Sequence, residues 1–152
     1  MESLHPDVRI VWGVGAILSA LFVGSVVAVV DWYLLDVGIW LAVVVGVSVA
    51  AFSVLFVFLR YRVWRFEIQA DSLYLKRGVV TRIETAVPYV RVQHVDTQRG
   101  PVERFVGLAS VVVYTAGSRG ADVTIPGLRT ERADEIQDQL RKLAIESEED
   151  AV

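Results

Sequence analysis

Two histidines, thirteen arginines, two lysines and no cysteine bound the chemistry open to this 152-residue chain. His94 and Asp96 stand two apart in VRVQHVDT. On a strand that spacing puts both side chains on one face, as a general base and its orienting carboxylate would be. A nucleophile or third ligand is still required, and the flanking residues offer none, so the pair reads as polar strand decoration. His5 stands in the polar lead-in to an apolar run. The lack of cysteine removes disulfides, thiolate catalysis and cysteine-ligated metals together. No His-x-x-x-His spacing or GxxxxGK[ST] loop occurs, and Gly13-x-Gly15 lies within an apolar run rather than at a strand-turn-helix junction. Asp134, Glu135 and Asp138 read as the solvated face of a helix. The chain is expected to be no enzyme and to carry no cofactor or metal.

The cations have more to offer. Residues 60–129 hold eleven Lys/Arg against six Asp/Glu, whereas the chain as a whole is at −3. Arg60, Arg62 and Arg65 follow an apolar run directly, placed either to meet anionic headgroups or simply to fix topology. Lys76, Arg77, Arg82 and Arg91 could build a face for phosphate or for a partner. Arginines without interleaved aromatics argue against nucleic acid. The scarcity of lysine and the surplus of acid fit a salt-adapted cell interior, and drift in genome composition would give the same bias. In molar salt the Debye length shrinks to about 3 Å, so exposed attraction would fade.

These cations are positioned by two uncharged stretches of 21 residues, Ile10–Val30 and Ile39–Leu59. As helices at about 1.5 Å per residue, each would span roughly 30 Å, the hydrocarbon thickness of a bilayer. Neither has the polar face of a soluble helix. A signal peptide would have a basic start and a shorter apolar core. This start carries Glu2 and Asp7, so a retained hairpin is expected. The linker DWYLLDVG, a tight turn, has two acids and no Lys or Arg, while arginines follow the second span. Positive charge marks the cytoplasmic side, so both termini are expected inside in a multi-pass plasma-membrane protein. Trp12, Tyr61 and Trp64 would mark one interface, and Trp32, Tyr33 and Trp40 the other. Small residues recur every fourth position: Ala16, Ala20, Gly24 and Ala28, then Ala42, Gly46 and Ala50. Such stripes admit close backbone approach, either within the hairpin or against a second copy or partner. No charged residue inside either span marks a transport pathway.

From Val63 the hydrophobic period changes to two. Trp64, Phe66 and Ile68 alternate with Arg65, Glu67 and Gln69, predicting a strand. Further strands are predicted over 72–76, 81–87 and 90–97, then Ala109–Tyr114 and Asp122–Ile125, the last ending before Pro126-Gly127. VERFVGL after Gly100-Pro101 suggests one or two helical turns, and Gly117–Gly120 a turn. A final helix would start with Thr130 as N-cap and bury Ala133, Ile136, Leu140 and Leu143. The expected organisation is a cytoplasmic segment at 1–9, the hairpin at 10–59, a soluble domain at 60–145 and a disordered acidic tail at 146–152.

This order of elements resembles the bacterial pleckstrin-homology-like (PH-like) family of membrane-flanked, YdbS-like proteins. The resemblance is carried by Arg77-Gly78, Val87-Pro88 followed by Arg91-Val92-Gln93, GPVERFVGLA at 100–109, Thr115-Ala116-Gly117 and Ile125-Pro126-Gly127-Leu128. It covers roughly Leu4 to Leu143. It implies an α+β membrane protein: a two-helix transmembrane hairpin, then a split β-barrel of two roughly orthogonal sheets capped by the C-terminal helix. It implies no enzymatic activity. It also implies a partner, a second membrane protein carrying related PH-like domains. The expected role is a membrane-anchored interaction or scaffold module in a membrane complex. The alternative is an anionic-lipid sensor that binds headgroups through a basic barrel face.

Overall fold

A computed structural model describes residues 1–117 and 122–151. The chain forms two compact units, Arg9–Arg62 and a second made of Met1–Val8 with Val63–Val152. The first unit is a helical hairpin of α1 (Val8–Val30) and α2 (Trp40–Val63), both long and apolar enough to cross a membrane. Nearly all their large side chains face outward, among them Phe22 and Phe52 at 71% exposure, an arrangement that calls for lipid as solvent. The link is more than a tight turn. Helix α1 runs on through a π-helical turn at Asp31–Leu35, stopped by Asp36 in the left-handed conformation. The buried Asp31 carboxylate accepts the N–H groups of Val37 and Gly38, 3.0 Å each, so one of the two linker acids closes the loop.

Among the described residues, the second unit carries seven strands. β1 (Glu2–Ser3), β2 (Arg65–Ile68), β3 (Ser72–Arg77) and β4 (Ile83–Pro88) form an antiparallel sheet in that order. β5 (Val92–Gln98), β6 (Leu108–Thr115) and β7 (Val123–Arg129) form the other, with the short helix α3 (Pro101–Val106) between β5 and β6. Helix α4 (Thr130–Asp150) packs on β5, β6 and β7. Phe66, Leu73, Leu75, Val111, Val113 and Ile125 are buried, as are Ala133, Ile136 and Leu140 of α4. Leu143, the fourth residue of the expected stripe, is half-buried.

Several expectations need correction. The N-terminal segment is not a free lead-in: Glu2 and Ser3 pair with Phe66 and Arg65, and Leu4 and Val8 are buried. Trp64 is not an interface anchor. It is 3% exposed and sits edge-on to Phe66, ring centroids 6.5 Å apart. The fourth strand starts at Val92, because Tyr89–Arg91 form a 3-10 turn after Pro88. Pro126-Gly127 lies inside β7 rather than after it. β7 is an edge strand, where proline is tolerated, and its register against β6 slips by one residue between Ala109 and Val111. Gly127 takes φ +63°, and a Cβ there would strike Val8. Thr130 is the first helical residue rather than the cap, and its hydroxyl is directed to the Gly107 carbonyl. The tail expected to be disordered from 146 continues α4 to Asp150: Glu-rich and free of Gly and Pro, it has no helix breaker. Residues 118–120 of the expected 117–120 turn lie outside the described residues.

Candidate functional site

Of the basic quartet, the structure gathers three members at one end of the β3–β4 hairpin and sends the fourth to the other. Arg77 stands opposite Ile83 at the loop end, whereas Ser72 stands opposite Pro88 at the far end. Five residues at about 3.3 Å each separate these ends by roughly 17 Å. Arg91 follows the far end, its carbonyl accepting the Ala116 N–H at 2.8 Å. Lys76 is engaged across the ladder, its Nζ 3.3 Å from Glu84 Oε1. The Tyr74 hydroxyl donates to the other Glu84 oxygen at 2.6 Å. Tyr74's hydrogen bond, with Lys76 beside it, holds the Glu84 carboxyl below its ordinary range, and the same bond raises the Tyr74 hydroxyl. Arg77 comes off the strand on the side of Leu73 and Leu75, and its Nε is buried without a hydrogen-bond partner among the described residues. Arg82 is exposed in the loop.

The other candidates divide between the units. In the hairpin, the Arg60 guanidinium lies 4.1 Å from the Trp12 ring centroid, and Arg9 lies 5.0 Å from that of Tyr61. Cation–π contact of this kind suits an interfacial depth, where arginine keeps its charge wet and aromatics stay amphipathic. Arg62 is exposed. In the soluble unit, Arg65 donates to the Trp64 carbonyl at 2.8 Å. Trp32, Tyr33 and Trp40 are exposed in the hairpin linker region.

The small-residue stripes face each other. A methyl built on Gly24 would lie 3.7 Å from the Gly46 Cα and 3.8 Å from the Ala42 carbonyl, with Ala20 and Ala42 buried. Ala28 and Ala50 line the same apolar groove, and Ala16 lines a neighbouring one with Trp12 and Arg60. Packing within one hairpin therefore accounts for the stripes' closest approach. Ser19, Ser25 and Ser48 return their hydroxyls to backbone carbonyls three or four residues earlier, which satisfies them without a polar path.

His94 stacks on Tyr114, centroids 4.2 Å apart, with Asp96 4.0 Å from Nε2. Both groups are exposed. Among the described residues, no group of three or more His, Asp or Glu is arranged to hold a metal. His5 ties the N-terminal segment to β7: its N–H donates to the Gly127 carbonyl at 2.8 Å, and Arg129 Nε donates to its ring at 3.2 Å. Arg132 pairs with Glu2 and Glu135, and the Glu2 bond is what raises the guanidinium above its ordinary value. Glu103 accepts from Gly100 N at 2.7 Å and from the buried Ser110 hydroxyl at 2.6 Å. That pairing locks α3 to β6 and makes the GPVER word structural.

Chain order and sheet pairing can be set beside known proteins. A family model described as bacterial PH domain matches residues 9–144. The chain belongs to the bacterial PH domain family. The UPF0699 transmembrane protein YdbS of Bacillus subtilis (strain 168) is 32% identical over 156 residues, covering 98% of this chain and 96% of that one. No solved structure matches. The relative is named as a transmembrane protein, in accord with the two membrane-capable helices seen here. For this bacterial PH domain, sequence reasoning missed Leu4, Val8, Tyr89 and Gln137. Gln137 clamps α4 to β5 by donating to the Val95 carbonyl at 2.7 Å, beside the Thr97 hydroxyl at 3.0 Å. A lone Gln on a helix has no periodic signature. Leu4 carried one signal, an apolar residue two after Glu2 in an otherwise polar segment.

Proposed function

We propose that this protein is a cytoplasm-facing, membrane-anchored interaction module, a subunit of a membrane complex whose other member carries related PH-like domains. The observation that carries the reading is the open edge at β4. This strand ends its sheet, bonded to β3 on one side, and Ile83, Glu84 and Ala86 are exposed along it. An unpaired edge offers a row of backbone donors and acceptors to a strand from another chain, and a related domain carries strands of matching pattern. Arginines after the second span, against an acidic linker, support the inward orientation. The alternative, headgroup sensing by Lys76, Arg77, Arg82 and Arg91 as one face, loses Lys76 to Glu84 and Arg91 to the opposite hairpin end.

The test is purification of the full-length chain from its native membrane in gentle detergent, followed by mass spectrometry. A stoichiometric membrane protein with PH-like domains is expected, and a photo-crosslinker at Ala86 should join the two through that domain. Recovery of the protein alone, with enriched anionic lipid, would overturn the reading in favour of sensing. Gly24→Leu and Gly46→Leu do not serve here, because both glycines pack within the hairpin itself.

A further inference from the structure

Val80 and Phe105 are each 91% exposed, more than any other large apolar side chain described in the soluble unit. They are distant in sequence, yet the fold puts both at the end of that unit where its chain continues into the spans. Val80 lies in the β3–β4 loop. Because β2 and β3 pair with Arg65 opposite Lys76, and β1 pairs with Ser3 opposite Arg65, that loop shares its sheet end with the two junctions. One junction is Val63-Trp64 entering β2, and the other is the segment after Ser3 that leads to Val8. Phe105 lies on α3, and the next residues, Val106 and Gly107, line a cleft with His5 and Asp7 of that same leading segment.

Each apolar tip has arginine beside it. Arg77 and Arg82 flank the Val79-Val80 tip with no carboxylate inside the loop, and the exposed Arg104 precedes Phe105. The loop turns tightly at its start. Gly78 takes φ +96°, and a Cβ there would fall 1.9 Å from the Thr81 carbonyl oxygen. An apolar tip between cations is the pattern that enters the boundary between headgroups and acyl chains. Covalent attachment to the spans keeps this end at high effective concentration near the bilayer, so weak contacts suffice.

We infer that the β3–β4 loop and the α3 turn form a bilayer-contacting end of the domain. Val80 and Phe105 enter the headgroup–acyl boundary, and Arg77, Arg82 and Arg104 meet anionic lipid phosphates. The ligand is the surrounding lipid rather than a free anion, since a soluble phosphate gives the exposed Val80 and Phe105 nothing to bury against. The inference does not depend on the identity of any protein partner.

The chain has no cysteine, so single labels are unambiguous. Full-length Val80→Cys and Phe105→Cys proteins, with Val90→Cys as a control at the far end of β4, are spin-labelled in bilayers of phosphatidylcholine with and without phosphatidylglycerol. Labels at 80 and 105 are expected to be relaxed more by oxygen than by a water-soluble nickel chelate, and the label at 90 the reverse. Arg77→Gln with Arg82→Gln should cause a several-fold loss of the difference between anionic and neutral bilayers at position 80. Excess inorganic phosphate should leave the depth unchanged. The inference is overturned if either label behaves like that at 90, or if phosphate releases them. The purified protein is used without a partner, so that failure would leave the β4 reading standing.

Discussion

At the scale of single residues, Tyr89 does more than its burial suggests. Its hydroxyl reaches the Gln69 and Ser72 carbonyls at 2.7 and 2.9 Å, while its N–H donates to Asp71, so one side chain latches the β2–β3 turn from twenty residues away. Burial first, and the Asp71 charge second, push this hydroxyl up to about 12 from an ordinary 10.0. A tyrosine that holds its proton more tightly when folded stabilises the fold fully below pH 10. That contribution fades as pH rises through about 12. Tyr89→Phe removes the donor but keeps the ring. It should cost about 1–3 kcal/mol at neutral pH, read by denaturant unfolding of the soluble unit. Between pH 10 and 12 the variant should lose less stability than the wild type; an equal loss would show that Tyr89 is not the titrating latch.

Elements show why part of this protein is legible in sequence and part is not. β2 and β3 announce themselves because their packing follows period two, whereas β6 announces itself as an apolar, valine-rich run whose residues Leu108–Val113 are all buried. The hairpin is legible because lipid demands a long apolar run. What stays hidden is pairing across long separations. β1 is two residues, too short for any period, and it exists because β2 offers it an edge more than sixty residues later. The same is true of the site. Arginine content could be counted, but the register of β3 on β4 decides that Arg77 and Arg82 stand together while Arg91 does not. β1 carries its own expectation. Leu4 is 1% exposed beside it, so Leu4→Ala should destabilise the soluble unit by about 2–4 kcal/mol. Hydrogen exchange should show faster exchange at β2, its neighbour, with the hairpin amides unchanged. A fragment starting at residue 60 would lack Leu4 and β1 altogether and should behave at least as poorly.

At the scale of the whole molecule, the soluble unit is built from chain on both sides of the hairpin. Glu2 and Ser3 pair with Phe66 and Arg65, and Arg132 on α4 pairs with Glu2, so the domain cannot close unless residues 1–8 and 63–150 share a compartment. An even number of crossings satisfies this, and one crossing would not. Two spans joined by a short linker are the least structure that does. On the reading proposed above, the domain faces the cytoplasm, the side that the arginines after α2 would mark. This gives a prediction that single cysteines can test in a chain that has none of its own. Leu34→Cys, in the exposed linker, should react with a membrane-impermeant maleimide on intact cells. Ser3→Cys and Val90→Cys should react after the membrane is opened and not before. Labelling of all three on intact cells would reverse the orientation. Labelling of Ser3→Cys alone would be more damaging, because it would separate β1 from β2 and leave the Glu2–Arg132 pair without a compartment in which to form.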